Sequence, residues 1–137
     1  VVSHAVRIYR GNNASVPYVT NCCRRTFPRG LDVEVVSFAA LETAFHEAKT
    51  VSDREHVTPF IMRQPDRFPR IDILDTEDHS DLRLTVDTID DFRLVAKIYE
   101  YLYPQKPDFG YTDILELFRD HPELKQINAH VRQKEIG

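Results

Sequence analysis

The chain has 137 residues, 42% hydrophobic and 29% charged, the profile of one soluble globular domain with a core of its own, which excludes a disordered chain. Lys and Arg number 18 against 22 Asp and Glu, so the formal charge of -4 provides no global positive field for a nucleic-acid backbone or an anionic membrane surface. No apolar run approaches the roughly 20 residues of a spanning helix, and Val1 to Gly11 lack the zones of a signal peptide, so a cytoplasmic location is expected.

Val1 to Arg10 repeats apolar residues (Val2, Ala5, Val6, Tyr9) at helical spacing and stops at Gly11-Asn12-Asn13. The opening on Val1 rather than Met, inside what reads as a helix, is expected of a chain cut from something longer. Pro17 to Asn21 and Leu31 to Val36 read as strands, joined by a loop that carries Arg24, Arg25, Pro28, Arg29 and Gly30. The adjacent Cys22 and Cys23 make neither a disulfide framework nor a C-x-x-C metal site, which fits a reducing compartment.

Ser37 is placed to cap a helix from Phe38 to Lys49 whose apolar face is Phe38, Leu41, Ala44, Phe45 and Ala48. Ser52 and Glu55 form a capping-box pattern that opens a short helix interrupted by Pro59. Arg70 to Leu74 and Leu82 to Val86 alternate as strands around the acidic turn Asp75 to Asp78. Thr88 caps a helix from Ile89 to Tyr103 with an expected stripe of Phe92, Val95, Ala96, Tyr99 and Leu102, ended by Pro104 and Pro107. Asp90 and Asp91 fall in its first turn, where the helix dipole favours them. Thr112 is placed to cap Asp113 to Asp120, and Pro122 to Gly137 reads as a polar, partly helical tail.

Strands alternating with helices predict an α/β layered fold with a mixed sheet, whose ligands bind beyond the carboxyl ends of the strands. Asn21, the Arg24 to Gly30 loop and Asp87 occupy such places. Asp87 directly follows Leu82 to Val86, where a carboxylate can hold Mg²⁺ together with substrate phosphates, although from spacing alone helix capping is the commoner outcome. Arg24, Arg25 and Arg29 carry forks suited to phosphate or carboxylate, yet short arginine runs are more often solvated turns. Asp32 and Glu34 would share one strand face and could accept hydrogen bonds from sugar hydroxyls, against the plain alternative of a solvent-facing side. Arg54, Glu55 and His56 sit in one helical turn, with His56 able to titrate near neutrality. There is no P-loop, G-x-S-x-G or G-x-G-x-x-G pattern, and 4 glycines leave little capacity for a phosphate-cradling loop.

Three blocks carry a resemblance: Arg25-Thr26-Phe27-Pro28-Arg29-Gly30-Leu31-Asp32-Val33-Glu34-Val35, Arg54-Glu55-His56-Val57-Thr58-Pro59-Phe60-Ile61, and Leu82-Arg83-Leu84-Thr85-Val86-Asp87-Thr88 with Asp91-Phe92. In order and separation they resemble the cytidylyltransferase family that includes spore-coat polysaccharide biosynthesis protein F, related to the acylneuraminate and CMP-Kdo synthetases. The resemblance implies the C-terminal part of a three-layer, Rossmann-like nucleotidyltransferase fold. On that reading residues 1–137 form a single domain, the acceptor-binding portion, with the N-terminal nucleotide-binding half absent.

The implied reaction is attack of a sugar hydroxyl or phosphate oxygen on the α-phosphorus of CTP, giving a CMP-sugar and pyrophosphate, with Mg²⁺ as cofactor and a homodimer as the assembly. The resemblance makes Asp87 a Mg²⁺ ligand, turns Asp32 and Glu34 toward the sugar, and has Arg25, Arg29 and Arg54 orient its anionic groups. Asn21, Glu55 and His56 become pocket residues. The competing expectation is a non-catalytic carbohydrate or nucleotide-sugar binding module.

Overall fold

The computed structural model describes residues 1–12 and 15–132; Asn13 of the first helix stop and the end of the predicted tail, 133–137, lie outside the described residues. The described chain divides into two compact units, one built from 1–27 and 32–78 and the other from 28–31 and 79–132.

In the first unit the helix Val2–Gly11 (α1) packs on the strands Tyr18–Thr20 (β1) and Glu34–Val36 (β2) through its buried Ala5. Next come the helices Phe38–Glu47 (α2), Val51–His56 (α3) and Pro59–Met62 (α4), and then the strand Arg70–Asp72 (β3). The sheet order is β2-β1-β3, antiparallel between β1 and β2 and parallel between β1 and β3, so the sheet is mixed as expected. All three residues of β1, the central strand, are buried. Tyr18 joins Ala40, Ala44, Ile61 and Phe68 in the core of this unit.

The second unit contains the helices Ile89–Leu102 (α5) and Tyr111–Asp120 (α6) and the 3₁₀ segment Pro122–Ile127. Its core joins Leu82, Leu94, Ile98, Leu117, Phe118 and Leu124.

Several expectations are corrected. The predicted strand Leu31–Val36 shortens to Glu34–Val36, since Pro28 to Leu31 form a turn in which Leu31 donates to the Pro28 carbonyl and Gly30 has φ 99. A Cβ at Gly30 would lie 2.5 Å from the Leu84 carbonyl oxygen, so the close approach of the two segments requires glycine. Among the described residues Leu82 to Val86 forms no strand but a single bridge, Arg83 with Arg29, because its partner is that short turn rather than a strand. Thr50, not Ser52, caps α3, its hydroxyl accepting from Asp53 N at 3.1 Å, and Gly110 with the Asp113 carboxylate, not Thr112, begins α6.

Helix faces move as well. The inner positions of α5 are Asp91, Leu94 and Ile98, while the predicted Phe92 and Tyr99 are exposed. On α2 the small Ala40 and Ala44 face inward, and Phe38 is 78% exposed and Phe45 65%. Ser37 and Thr88 cap α2 and α5 as predicted, each hydroxyl accepting from the backbone three residues on at 3.2 Å.

Candidate functional site

Because β1 and β3 run parallel and β2 runs against them, the carboxyl end of β1, the carboxyl end of β3 and the start of β2 lie at one end of the sheet. Asn21 ends β1 there, fully buried; its side-chain oxygen accepts from Val33 N at 2.8 Å and its backbone N–H donates to the Val33 carbonyl at 3.2 Å. These bonds fasten the approach to β2, and Glu34 follows at once.

Glu34 is exposed, and its carboxylate accepts from two hydroxyls: the buried Tyr18 phenol on Oε2 and the Thr58 hydroxyl on Oε1 at 3.3 Å. Tyr18 pairs with Val36 across the sheet, which puts Glu34 diagonally within reach of an aromatic side chain. Burial, and then the bond to Glu34, push the phenol far above its ordinary value, so it stays a donor. Thr58 is delivered by a turn in which its N–H donates to the His56 carbonyl at 2.7 Å while Val57 has φ 64 and ψ -59. This is a γ-turn of the uncommon hand, and a β-branched residue there stores about 1–3 kcal/mol of strain.

Asp32 and Arg25 pair with each other in a two-pronged contact, one prong at 3.1 Å, which raises the Arg25 pKa. Arg25 is therefore charge-compensated by Asp32, and Asp32 precedes β2 rather than sharing its face with Glu34. Burial pushes the thiols of Cys22 and Cys23 up, leaving both as protonated side chains rather than nucleophilic thiolates.

Arg54 turns to α2, donating to the carbonyls of Phe45 at 3.3 Å and Ala48 at 3.2 Å with its guanidinium 5.5 Å over the Phe45 ring. It terminates that helix. Glu55 and His56 are exposed on α3, and their side chains make no hydrogen bond among the described residues. The structure thus gathers Asn21, Arg25, Asp32 and Glu34 at one sheet end and does not bring Arg54 onto them.

In the second unit, Asp91 is wholly buried at the start of α5 and accepts six hydrogen bonds from the described residues. The donors are Arg83 Nε at 3.0 Å and Nη2 at 3.1 Å, the Thr85 hydroxyl at 3.1 Å, the backbones of Asp87 and Thr88 at 3.1 and 3.2 Å, and Asn128 Nδ2 at 2.8 Å. Burial alone would raise its pKa, but the bonds from Arg83, Asn128, Asp87 and Thr85 outweigh it and hold the carboxyl well below the usual range. Asp91 and Thr88 complete a capping box, which leaves Asp87 free of any capping duty. The Asp87 side chain is 63% exposed and accepts from Arg83 Nη2 at 2.9 Å. Arg29 is half-buried, its backbone bonded to Leu82 and Leu84, and its side chain has no hydrogen-bond partner among the described residues. With Arg83, Lys125 and Asn128 it lines a cavity of about 130 Å³.

Superposed on a solved cytidylyltransferase from Leptospira borgpetersenii, the chain gives a TM-score of 0.85 at 26% identity, covering 96% of its own length and 53% of that chain. The fold is that of a cytidylyltransferase-like nucleotidyltransferase. The uncharacterized protein MJ1063 of Methanocaldococcus jannaschii is 37% identical over 108 residues, which are 77% of this chain and 43% of that protein. The chain therefore spans about half the length of each of these two. No family model matches it. No helix among the described residues is long and apolar enough to cross a membrane.

Within this cytidylyltransferase-like fold, no group of three or more His, Cys, Asp or Glu among the described residues could enclose a metal by itself. A single exposed carboxylate, Asp87, suits a Mg²⁺ that takes most of its ligands from phosphates and water. Sequence reading missed Tyr18 and Thr58 as partners of Glu34, and it read Asp91 only as a first-turn acid. The Thr88-x-x-Asp91 spacing was a visible capping-box signal for Asp91; Tyr18 and Thr58 carried none, because they meet Glu34 only through folding.

Proposed function

We propose that this chain is the acceptor-binding portion of a cytoplasmic sugar cytidylyltransferase that joins CTP to a sugar or sugar phosphate, giving a CMP-sugar and pyrophosphate for polysaccharide biosynthesis. The observation that carries the reading is the likeness, over 96% of the chain, to a solved cytidylyltransferase. In the first unit Glu34 accepts hydrogen bonds from the acceptor, and Asn21 and the Arg25–Asp32 pair brace the segment that presents it. In the second unit Asp87 would supply a carboxylate to Mg²⁺, and Arg29, without an anionic partner of its own, would take an anionic group of a substrate. Bound Mg²⁺ would neutralise charge on the nucleotide phosphates. What the chain's residues add is position: the Asp91 network fixes the backbone of Asp87 before any substrate arrives. A homodimer is the assembly proposed, checked by sedimentation.

The deciding experiment incubates the protein as encoded by its gene with CTP, Mg²⁺ and a panel of sugars and sugar phosphates, and measures pyrophosphate. Release that depends on one class of acceptor supports the reading. No release with any acceptor overturns it.

A further inference from the structure

Among the described residues Glu34 is held by hydroxyls and by no cation. Asp32 is paired with Arg25, Glu47 with Arg67 and Asp53 with Arg63, whereas both oxygens of Glu34 are held by neutral hydroxyls. Thr58 stands at the N-cap position of α4, where a threonine hydroxyl ordinarily accepts from the helix backbone. It makes no such bond and donates to Glu34 instead. Val57, immediately before it, holds φ 64, a conformation that a β-branched residue adopts only when its surroundings enforce it. The missing cap bond and the strained turn are two departures from local preference, and both flank the one hydroxyl that donates to Glu34.

We propose that Tyr18 and Thr58 are positioning residues that clamp the Glu34 carboxylate from either side, so that its remaining lone pairs receive two neighbouring hydroxyls of a neutral sugar face. The proposal rests on reading the first unit as the acceptor-binding portion, and it adds the chemical class of the group bound there. A carboxylate has about four acceptor positions. The clamp occupies one on each oxygen and leaves one on each, a spacing suited to a vicinal diol. With no cation to offset its charge, Glu34 repels phosphate and carboxylate groups, so an anionic substituent of the acceptor must point elsewhere.

Binding by the full chain of a panel of neutral hexoses and of their 1-phosphates, followed by saturation-transfer NMR, tests this in the wild type, Thr58→Val, Thr58→Ser and Tyr18→Phe. A neutral hexose is expected to bind the wild type, to bind Thr58→Val and Tyr18→Phe about tenfold more weakly, and to recover in Thr58→Ser. Melting temperatures of the two Thr58 variants should match. If Tyr18→Phe does not fold, the Thr58 pair decides. Affinity unchanged in Thr58→Val, affinity lost equally in Thr58→Ser, or binding of no hexose at all overturns the proposal. Pyrophosphate release by a protein whose sugar binding ignores Thr58 would remove the clamp and leave the enzyme reading; absence of both release and binding would remove both.

Discussion

Two aspartates four residues apart, Asp87 and Asp91, have opposite characters. Asp91 is buried with six hydrogen bonds, so Asp91→Ala leaves the Arg83 guanidinium, only 10% exposed, without its main partner. Stability should fall by about 3–5 kcal/mol, the cost of breaking a buried ion pair from one side, as read by urea denaturation. Asp87 is exposed and shares the Arg83 guanidinium through its solvent-exposed side chain alone. Asp87→Ala should change stability by no more than about 1 kcal/mol, the range of surface pairs, and cut the turnover measured by pyrophosphate release roughly a hundredfold. A large stability loss with unaltered turnover would return Asp87 to a structural role.

At the level of elements, short strands and turns hold side chains that regular structure would not. The γ-turn at Val57 between α3 and α4 is where strain is stored, and glycine occupies positive φ without a Cβ clash. Val57→Gly should therefore raise thermal stability by about 1 kcal/mol, readable in a melting curve. A loss instead would mean that the Val57 side chain, 40% exposed, contributes more packing than the turn costs. The helices follow a related logic. In α5 the inner face reads Asp91, Leu94, Ile98 because the 91 position must reach Arg83 and Asn128, and that rotation carries Phe92 and Tyr99 outward. In α2, Ala40 and Ala44 join the core while Phe38 and Phe45 face outward.

Over the whole molecule, stability against pH follows from the same groups. Asp91 and Asp53 bind protons less readily folded than unfolded: the first through Arg83, Asn128 and backbone bonds that overcome its burial, the second through Thr50 and then Arg63. Their contributions are complete above the unfolded carboxylate value of about 3.9 and disappear as pH falls below it. Tyr18 is shifted the other way, by burial and then by Glu34, so its contribution is complete below the unfolded phenol value of about 10 and disappears as pH rises past it. Denaturation midpoints should be level between these limits and decline on both sides, with a shallower alkaline decline in Tyr18→Phe. An alkaline decline identical in Tyr18→Phe would show that another group governs it.

What the sequence determined by itself is local. Ser37 and Thr88 mark helix starts because their hydroxyls bond within three residues, Pro104 closes α5 because it has no N–H to give, and the alternation of strands and helices states the α/β class. Asn21 and Arg25 were legible as candidates because they fall just past a predicted strand, and Asp32 and Glu34 because alternation put both on one face of the next. Tertiary structure decided everything that depends on a distant partner. It paired Arg25 with Asp32, sent Arg54 to the end of α2, chose which face of α5 is buried, and set Tyr18 and Thr58, 16 and 24 residues away, on Glu34. Hydrophobic periodicity measures only what can be buried, whereas which side chain is buried or bonded depends on the shape and charge of what folding brings beside it.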